Sequence, residues 1–290
     1  MCAIRWIPGL LRQDLRLRVA VLTLLITIAM LPPVPLPGMA EGQPWPHAYG
    51  VFLSLDDSDL NRLVGFETVV IDAQYFSADS IRTLRQSGHK VLTYLNLGAI
   101  EDFRPYYDAW RDLFLGPYEN WPEEQWVDVS NIRWQRFLLE DLAPAMVAKG
   151  VDGFFVDNCD VYALFPREGI YEGLATVLTG LKSLRPTVII NSGDAFLNAY
   201  FQRNGQVNTI LSGINQETVL TAIDFATDTF TTSTPQDRTH YENYVSRYAA
   251  EGAGIYLLEY TRDPELAKAI GAYCRGKGYQ YYISDSIELD

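Results

Sequence analysis

Acidic side chains stand at or just beyond the ends of several short apolar runs in this sequence. These acids are Asp72, Glu101, Asp157, Asp160, Asp194, Glu217 and Glu259. If the runs are parallel strands of one barrel, the strand ends meet at a single mouth and the carboxyls crowd into one cleft. Crowding raises the pKa of a carboxyl, so a protonated acid can stand beside an ionised one near neutral pH. Such a pair has the chemistry that cleavage of a glycosidic bond requires.

The segment from Gly150 to Asp160 is the most specific single motif. It reads Gly-Val-Asp-Gly-Phe-Phe-Val-Asp-Asn-Cys-Asp, in which an apolar strand ends at Asp157. A lone acid at a strand end commonly caps the next helix, but the grouping of Asp157, Asn158 and Asp160 favours a functional role. Glu217 follows another predicted strand by a short loop. Taken by itself, Glu217 fits a functional role and a first-turn helix acid equally well.

The elements that must position these acids alternate along the chain from Tyr49 onward. Short β-branched or aromatic runs are followed by longer helical patterns, which predicts βα units and a parallel sheet. The predicted strands are Tyr49–Leu55, Thr68–Ala73, Lys90–Asn96, Trp126–Val129, Gly153–Asp157, Thr187–Asn191, Thr209–Ser212, Gly254–Glu259 and Tyr279–Ser284. A (β/α)8 barrel of ~250 residues uses eight strands, and we expect the shortest run, Trp126–Val129, to lie outside it. Residues 41–290 are therefore predicted to form one α/β domain, a (β/α)8 TIM barrel.

Two connecting segments carry their own predictions. A helix is expected from Asn131 to Lys149, with a bend at Pro144. The segment Glu101–Gln125 is rich in Trp, Tyr and Pro and has weak periodicity. We interpret it as a long loop after a barrel strand, which places it at the catalytic face.

The first forty residues differ from the rest. Four arginines precede an apolar run from Val19 to Leu31, and a Pro-rich stretch then leads to Gly38-Met39-Ala40. This pattern is typical of a secretory signal peptide, and the run is shorter than the roughly 20 residues of a transmembrane helix. We expect residues 1–40 to be removed and the protein to be secreted or periplasmic. If the segment is not cleaved, it anchors the protein to the membrane.

Charge and metal-ligand patterns exclude several classes of partner. Without residues 1–40 the chain has 19 basic and 35 acidic side chains. Binding of nucleic acid needs a basic face, so no nucleic-acid partner is expected. The acidity suits a cationic or neutral polymer, although solubility of an exported protein explains it as well. Cys159, Cys274 and three scattered histidines form no zinc pattern, so we expect no metal and no other cofactor.

Several segments of the chain, taken together, resemble glycoside hydrolase family 114, the endo-α-1,4-polygalactosaminidases and their relatives. They are Tyr94-Leu-Asn-Leu-Gly-Ala-Ile-Glu101-Asp-Phe-Arg104, Trp126-Val-Asp-Val, the segment Gly150–Asp160, Asn215-Gln-Glu217 and Glu259-Tyr260. They occur in the family's order, from about Tyr49 to the C-terminus. The resemblance implies a (β/α)8 barrel that cleaves galactosamine-containing polysaccharide with retention, through one Asp and one Glu. These two residues correspond to Asp157 and Glu217.

The resemblance has one local departure. The family pattern usually reads nearer to Ser-Ile-Gly-Glu-Ala-Glu where this chain has Asn96-Leu-Gly-Ala-Ile-Glu101. One acid is thus missing, which bears on substrate preference more than on the fold.

Further polar residues near the predicted mouth are expected to bind sugar hydroxyls or amines, or to orient the pair. They are Asp72, Tyr94, Asn96, Glu101, Arg104, Asn158, Asp160, Asn191, Glu259 and Tyr260. For Arg104, an ion pair with Glu101 that only holds the loop is an equal alternative.

Within the pair, we expect Asp157 to be the nucleophile because it ends a rigid strand. Glu217, on a loop with a longer side chain, is expected to be the acid and base and to have the higher pKa. Two other functions stay open. One is a non-catalytic carbohydrate-binding barrel at the cell surface, and the other is a barrel hydrolase for a different glycan, because barrels host many reactions.

Overall fold

The computed structural model describes residues 45–290 of the chain. The predicted signal peptide or membrane anchor at residues 1–40 lies outside the described residues. Within residues 45–290, no helix has both the length and the hydropathy that crossing a membrane requires.

Eight parallel strands form the central sheet. In their order across the sheet they are β1 (His47–Phe52), β2 (Phe66–Ile71), β3 (Lys90–Asn96), β7 (Gly153–Asp157), β8 (Thr187–Asn191), β9 (Gly213–Glu217), β12 (Gly254–Tyr260) and β13 (Gln280–Ser284). Strand β13 returns beside β1, where the ring centroids of Phe52 and Tyr282 lie 5.2 Å apart. The predicted (β/α)8 barrel is confirmed.

Two small antiparallel sheets follow barrel strands at their carboxyl ends. The first contains β4 (Ala99–Glu101), β5 (Phe114–Pro117) and β6 (Glu124–Val127), and it comes after β3. The second is the hairpin of β10 (Thr221–Asp224) and β11 (Thr229–Thr232), which comes after β9. The run predicted at Trp126–Val129 therefore lies outside the barrel, as expected. The segment interpreted as a long loop contains strands, because its residues pair with one another.

Helices fill the connections between barrel strands. They are α1 (Ala78–Gln86), α2 (Ile132–Arg136), α3 (Ala143–Lys149), α4 (Val161–Leu164), α5 (Glu168–Leu184), α6 (Asp194–Asn204), α7 (Pro235–Ala250) and α8 (Pro264–Lys277). Two 3₁₀ helices span Asp57–Leu63 and Tyr107–Leu113.

The helix predicted from Asn131 to Lys149 is divided into three parts. Asn131 caps α2, and a π-helical stretch at Phe137–Leu142 joins α2 to α3. Pro144 is one of the first residues of α3. Proline has no N–H for the preceding turn and its ring crowds that turn, which accounts for a wider turn just before it. The expected irregularity at Pro144 is thus present.

One barrel strand lies later in the chain than predicted. The expected strand was Thr209–Ser212, whereas β9 runs from Gly213 to Glu217. The apolar pair Ile210 and Leu211 is buried in the core before the strand begins. Asn215 and Gln216 are also buried, although they are polar. Glu217 is therefore the last residue of a strand and not part of a loop.

Two apolar layers fix the strand ends. Inside the barrel, Tyr49, Val70, Leu92, Phe155 and Leu258 belong to one buried cluster. A larger cluster of buried apolar residues lies between the strands and the surrounding helices. Complete burial of one such side chain contributes about 1.5–3 kcal/mol. The carboxyl ends of the strands are thus held on a rigid frame.

Candidate active site

A cleft with a volume of about 1010 Å³ opens at the carboxyl ends of the barrel strands. It is at the upper end of the roughly 300–1,000 Å³ usual for small-molecule pockets. Ten of the predicted site residues line it: Asp72, Tyr94, Glu101, Arg104, Asp157, Asn158, Asp160, Asn191, Glu217 and Tyr260. The barrel therefore brings together most of the side chains that the sequence singled out.

Asp157 ends β7 and accepts three hydrogen bonds. The donors are Asn158 N and Asn191 Nδ2 to Oδ1, at 2.9 and 3.0 Å, and the Tyr94 hydroxyl to Oδ2, at 3.2 Å. Burial and the charge of Glu217 raise the pKa of Asp157 to about 6, against the lowering effect of these donors. Three donors aimed at one carboxyl stabilise its ionised form and fix its orientation.

Glu217 ends β9 and accepts two hydrogen bonds. Asn191 Nδ2 donates to Oε1 at 2.7 Å, and the Tyr260 hydroxyl donates to Oε2 at 2.8 Å. Burial raises the pKa of Glu217, and the two donors oppose the shift. Because the charge of Glu217 acts on Asp157, the two acids titrate as a coupled pair. The expected order of their two pKa values stays a prediction.

Asn191, at the end of β8, joins the two carboxyls. Its single amide nitrogen donates to Asp157 at 3.0 Å and to Glu217 at 2.7 Å. The two accepting oxygens therefore lie no further apart than the sum of these lengths. Asn215 Nδ2 donates to Asn191 Oδ1 at 2.7 Å, and the Tyr49 hydroxyl donates to Asn215 Oδ1 at 3.1 Å. This chain of bonds fixes which end of the Asn191 amide faces the acids.

The backbone after Asp157 has an unusual conformation. Asn158 has a φ of 64°, in the left-handed region that asparagine tolerates better than most residues. The Asn158 carbonyl packs so closely on Gly98 that a β-carbon at Gly98 would overlap it. Gly98 is thus required for the turn that presents Asp157.

Two residues predicted to bind sugar or to orient the pair, Asn96 and Glu259, do not line the cleft. Asn96 lies behind Asn158, where its Oδ1 accepts from Ala99 N and from Asn158 Nδ2. Glu259 is fully buried and accepts from Leu220 N at 3.0 Å and from Thr221 N at 2.9 Å. Neighbouring side chains of a strand point to opposite faces, so Tyr260 reaches the mouth and Glu259 turns away from it. Glu259 thereby holds the start of the hairpin β10–β11.

Arg104 neutralises two acids of the cleft. Its Nε and Nη2 donate to the two oxygens of Glu101 at 2.9 and 3.0 Å, and its Nη1 donates to Asp72 Oδ2 at 2.6 Å. All three side chains are buried. The ion pair with Glu101, given above as the alternative for Arg104, is therefore present, and it extends to Asp72.

Asp160 follows Asp157 by three residues and directly precedes α4. Its Oδ1 accepts from Gly193 N at 3.2 Å. Burial and the charge of Asp157 raise its pKa to about 7.

Sequence reasoning missed several residues that line the cleft. They are Tyr75, Phe103, Tyr118, Trp121, Glu124 and Phe225. Most of them come from the segment 101–125, whose aromatic content predicted its place at the catalytic face but not which side chains enter the cleft. Glu124 is the charged residue of this group, and its side chain is buried. Burial and the charges of Glu101 and Asp157 raise its pKa to about 8.

The cleft is strongly acidic. Ten carboxyl side chains line it, and Arg104 is its one basic residue among those described. Within residues 45–290, no three His, Cys, Asp or Glu side chains are arranged to hold a metal ion. The arrangement offers paired carboxyls for acid–base and nucleophilic chemistry and a negative field for a cationic ligand.

Known proteins resemble this chain in sequence and in fold. The sequence model of glycoside-hydrolase family GH114 matches residues 38–287. No curated protein matches the chain. Similar solved structures include the glycoside hydrolase domain of PelA from Pseudomonas aeruginosa, with a TM-score of 0.71, 23% identity and coverage of 84% of this chain and 96% of that one. Ega3 of Aspergillus fumigatus, in complex with galactosamine, has a TM-score of 0.64, 16% identity and coverage of 87% and 96%. TtGalA, an α-galactosidase from Thermus thermophilus, has a TM-score of 0.56, 13% identity and coverage of 82% and 58%.

Proposed function

The chain belongs to glycoside hydrolase family GH114, and from that premise we propose that it cleaves α-1,4-linked galactosamine-containing polysaccharide through a retaining pair, Asp157 and Glu217. Family membership makes the protein a glycoside hydrolase and removes the support for a non-catalytic sugar-binding barrel. The substrate, the mechanism and the roles of the two acids are the content of the proposal.

The observation that carries the mechanism is the amide of Asn191 between the two acids. Its bonds of 3.0 and 2.7 Å limit the separation of the bonded oxygens to their sum. Retaining pairs have carboxyls roughly 5–5.5 Å apart, whereas inverting pairs need about 6.5–9.5 Å to admit a water. A limit of this size on the two nearest oxygens supports the shorter, retaining spacing of the carboxyls.

In the first step, a carboxylate oxygen of Asp157 attacks the anomeric carbon and the bond to the leaving oxygen breaks. Glu217 gives its proton to that oxygen as the bond breaks. In the second step, Glu217 takes a proton from water, the water oxygen attacks the same carbon, and Asp157 leaves as a carboxylate. Two displacements restore the original anomeric configuration.

The roles within the pair rest on hydrogen bonding. Three donors contact Asp157 and two contact Glu217, so the anion is better supported at Asp157. Asp157 and Glu217 both end strands. The expectation that one lies on a strand and the other on a loop therefore does not assign their roles. Glu217 has one more methylene, which gives it the reach to a leaving oxygen.

The proposed substrate follows from the charge of the cleft. Ten carboxyls against one arginine make a site that attracts cations. The ammonium groups of a galactosamine polymer are such cations. The similarity to the structure of Ega3 with galactosamine supports the same class of sugar.

A reducing-end assay tests the proposal. Residues 41–290 should release reducing ends from galactosamine polymer, and comparison with N-acetylgalactosamine and mixed polymers would reveal a different glycan preference. Asp157→Asn and Glu217→Gln should each lower turnover by at least ~10²-fold, while Asn120→Ala, at an exposed position of the same cleft, should not. Full activity in both acid variants would place the chemistry elsewhere.

Azide distinguishes the two roles. With an aryl α-galactosaminide, azide should restore turnover of Glu217→Ala and give the α-azide, because it attacks the covalent intermediate. With Asp157→Ala it should attack the substrate directly and give the β-azide. The opposite pairing of products would reverse the roles.

Export is part of the proposal, since a polysaccharide substrate lies outside the cytoplasm. The basic and then apolar segment of residues 1–40 supports a secreted or periplasmic protein. N-terminal sequencing of the expressed protein should find residues 1–40 removed, or the intact protein in the membrane fraction. A full-length, freely soluble cytoplasmic product would contradict it.

A further inference from the structure

Glu124 is a carboxyl of the cleft without a positively charged partner among residues 45–290. The residue is 9% exposed and lines the cleft. Its Oε2 accepts from two neutral amides, Asn96 Nδ2 at 3.1 Å and Asn158 Nδ2 at 3.2 Å. Within the described part of the chain, its Oε1 accepts no hydrogen bond. The Glu124 carboxyl therefore keeps one oxygen that can accept a hydrogen bond from a ligand in the cleft.

The other acids at the centre of the cleft have partners or a role within the protein. Arg104 forms ion pairs with Asp72 and Glu101. Asp157 and Glu217 share the Asn191 amide and perform the chemistry. Asp160 is less buried than Glu124 and accepts from Gly193 N at 3.2 Å. Among the described residues, Glu124 is therefore the acid of the cleft that is buried, has no cation and stands outside the reacting pair.

Asn158 places Glu124 next to the reacting centre. Its backbone N donates to Asp157 Oδ1 at 2.9 Å, and its side-chain amide donates to Glu124 Oε2 at 3.2 Å. One residue thus contacts both carboxyls. A sugar whose anomeric carbon lies at Asp157 has its C2 substituent two bonds away from that carbon, on a ring that must fill the same part of the cleft.

We propose that Glu124 binds the ammonium group at C2 of the galactosamine unit whose anomeric carbon Asp157 attacks. The inference rests on the proposed function and adds the residue that selects an amino sugar over a neutral one. The free Oε1 would accept the ammonium proton, while Asn96 and Asn158 hold Oε2. Hydrogen bonds between ionised partners are about twice as strong as neutral ones.

The charge of Glu124 fits such a ligand. Burial and the charges of Glu101 and Asp157 raise its pKa to about 8, so the neutral form of the Glu124 carboxyl is favoured near pH 7 when no cation is bound. An ammonium group at Oε1 favours the ionised carboxylate and offsets the repulsion from its neighbours. A hydroxyl or an acetamido group at C2 carries no charge and gives no such compensation.

Binding of monosaccharides tests the proposal without requiring turnover. Isothermal titration of the wild type with galactosamine and with galactose should show at least ~10-fold tighter binding of galactosamine, the effect of one charge-assisted hydrogen bond. Glu124→Gln keeps the size and an acceptor for both amides, and it should bind the two sugars within about 2-fold of each other. The control is Glu119→Gln, which removes an exposed acid of the same segment that does not line the cleft and should keep the preference.

The outcomes separate this inference from the proposed function. A folded Glu124→Gln protein that keeps the full preference for galactosamine would overturn the role of Glu124 and leave the proposed function intact. Wild type that releases no reducing ends from galactosamine polymer would overturn the proposed function, while the titrations would still decide about Glu124.

A wild-type crystal soaked with galactosamine repeats the test without a variant, in case Glu124→Gln is unstable. The C2 nitrogen is expected within hydrogen-bond distance of Glu124 Oε1. A nitrogen bonded to a different acid would overturn the inference.

Discussion

Replacing Asn191 by alanine removes the one side chain among residues 45–290 that donates hydrogen bonds to both acids of the pair. The variant loses two hydrogen bonds, of 3.0 Å to Asp157 and 2.7 Å to Glu217. Whenever one acid of the pair is ionised, one of the two bonds reaches an ionised oxygen. A bond to a charged group contributes about 1.5–3 kcal/mol, which corresponds to roughly 10–10²-fold in kcat/KM.

The change Asn191→Ala should also shift the pH profile of activity. Asn191 lowers the pKa of both acids, although burial raises it more. Without the amide, the pKa of each acid rises further, and the acid limb of the pH profile moves to higher pH because the nucleophile is protonated over a wider range.

The assay is kcat/KM on galactosamine polymer from pH 4 to 9, for the wild type, Asn191→Ala and the control Asn120→Ala. Thermal melting checks that the variants are folded. An Asn191→Ala enzyme within about 2-fold of wild type, with an unmoved acid limb, would refute the idea that this amide organises the pair.

Three further predictions concern the cation, the buried acids and the rim. Arg104→Met leaves Glu101 and Asp72 buried without a cation, so unfolding titrations should show a loss of about 3–5 kcal/mol at pH 8 and a smaller loss at pH 5; equal losses would contradict it. Asp157, Asp160 and Glu124 have pKa values raised to about 6, 7 and 8. Folding therefore favours their protonated forms, and stability is lost as pH rises from the ordinary carboxyl range through these values. The melting temperature should be at least ~2 °C higher at pH 5 than at pH 8.5. A melting temperature that rises with pH would refute this. Trp121 meets Phe225 at the rim with ring centroids 5.9 Å apart, so Trp121→Ala should raise KM for polymer about 3–10-fold and leave an aryl monosaccharide unaffected; equal effects on both substrates would contradict a role in binding the chain.

The barrel was predictable because its strands are continuous apolar runs buried on both faces. Strand β9 was misplaced for the opposite reason. Asn215 and Gln216 are polar, yet they are buried within the strand, and Asn215 belongs to the network that orients Asn191. An apolar pattern cannot locate a strand whose residues serve the site.

The acids at strand ends were predictable, but the face of the strand was not always assigned. Glu259 and Tyr260 are adjacent, so alternation permits one of them at the mouth. Tyr260 packs in the interior cluster of the barrel, which directs Glu259 outward. Glu124 was missed because it reaches the cleft through an antiparallel pairing with Glu101. That pairing joins residues far apart in the sequence, and no local pattern indicates it.

The most direct test of the two-carboxylate account is the identity of the residue that becomes covalently bound to sugar. Glu217→Ala mixed with an aryl α-galactosaminide should form the intermediate faster than it hydrolyses it, because the leaving group needs no acid and the water lacks its base. After acid quenching and proteolysis, mass spectrometry should find one galactosaminyl unit on Asp157. A sugar attached to another residue, or release of a β-configured product with no adduct, would contradict the account.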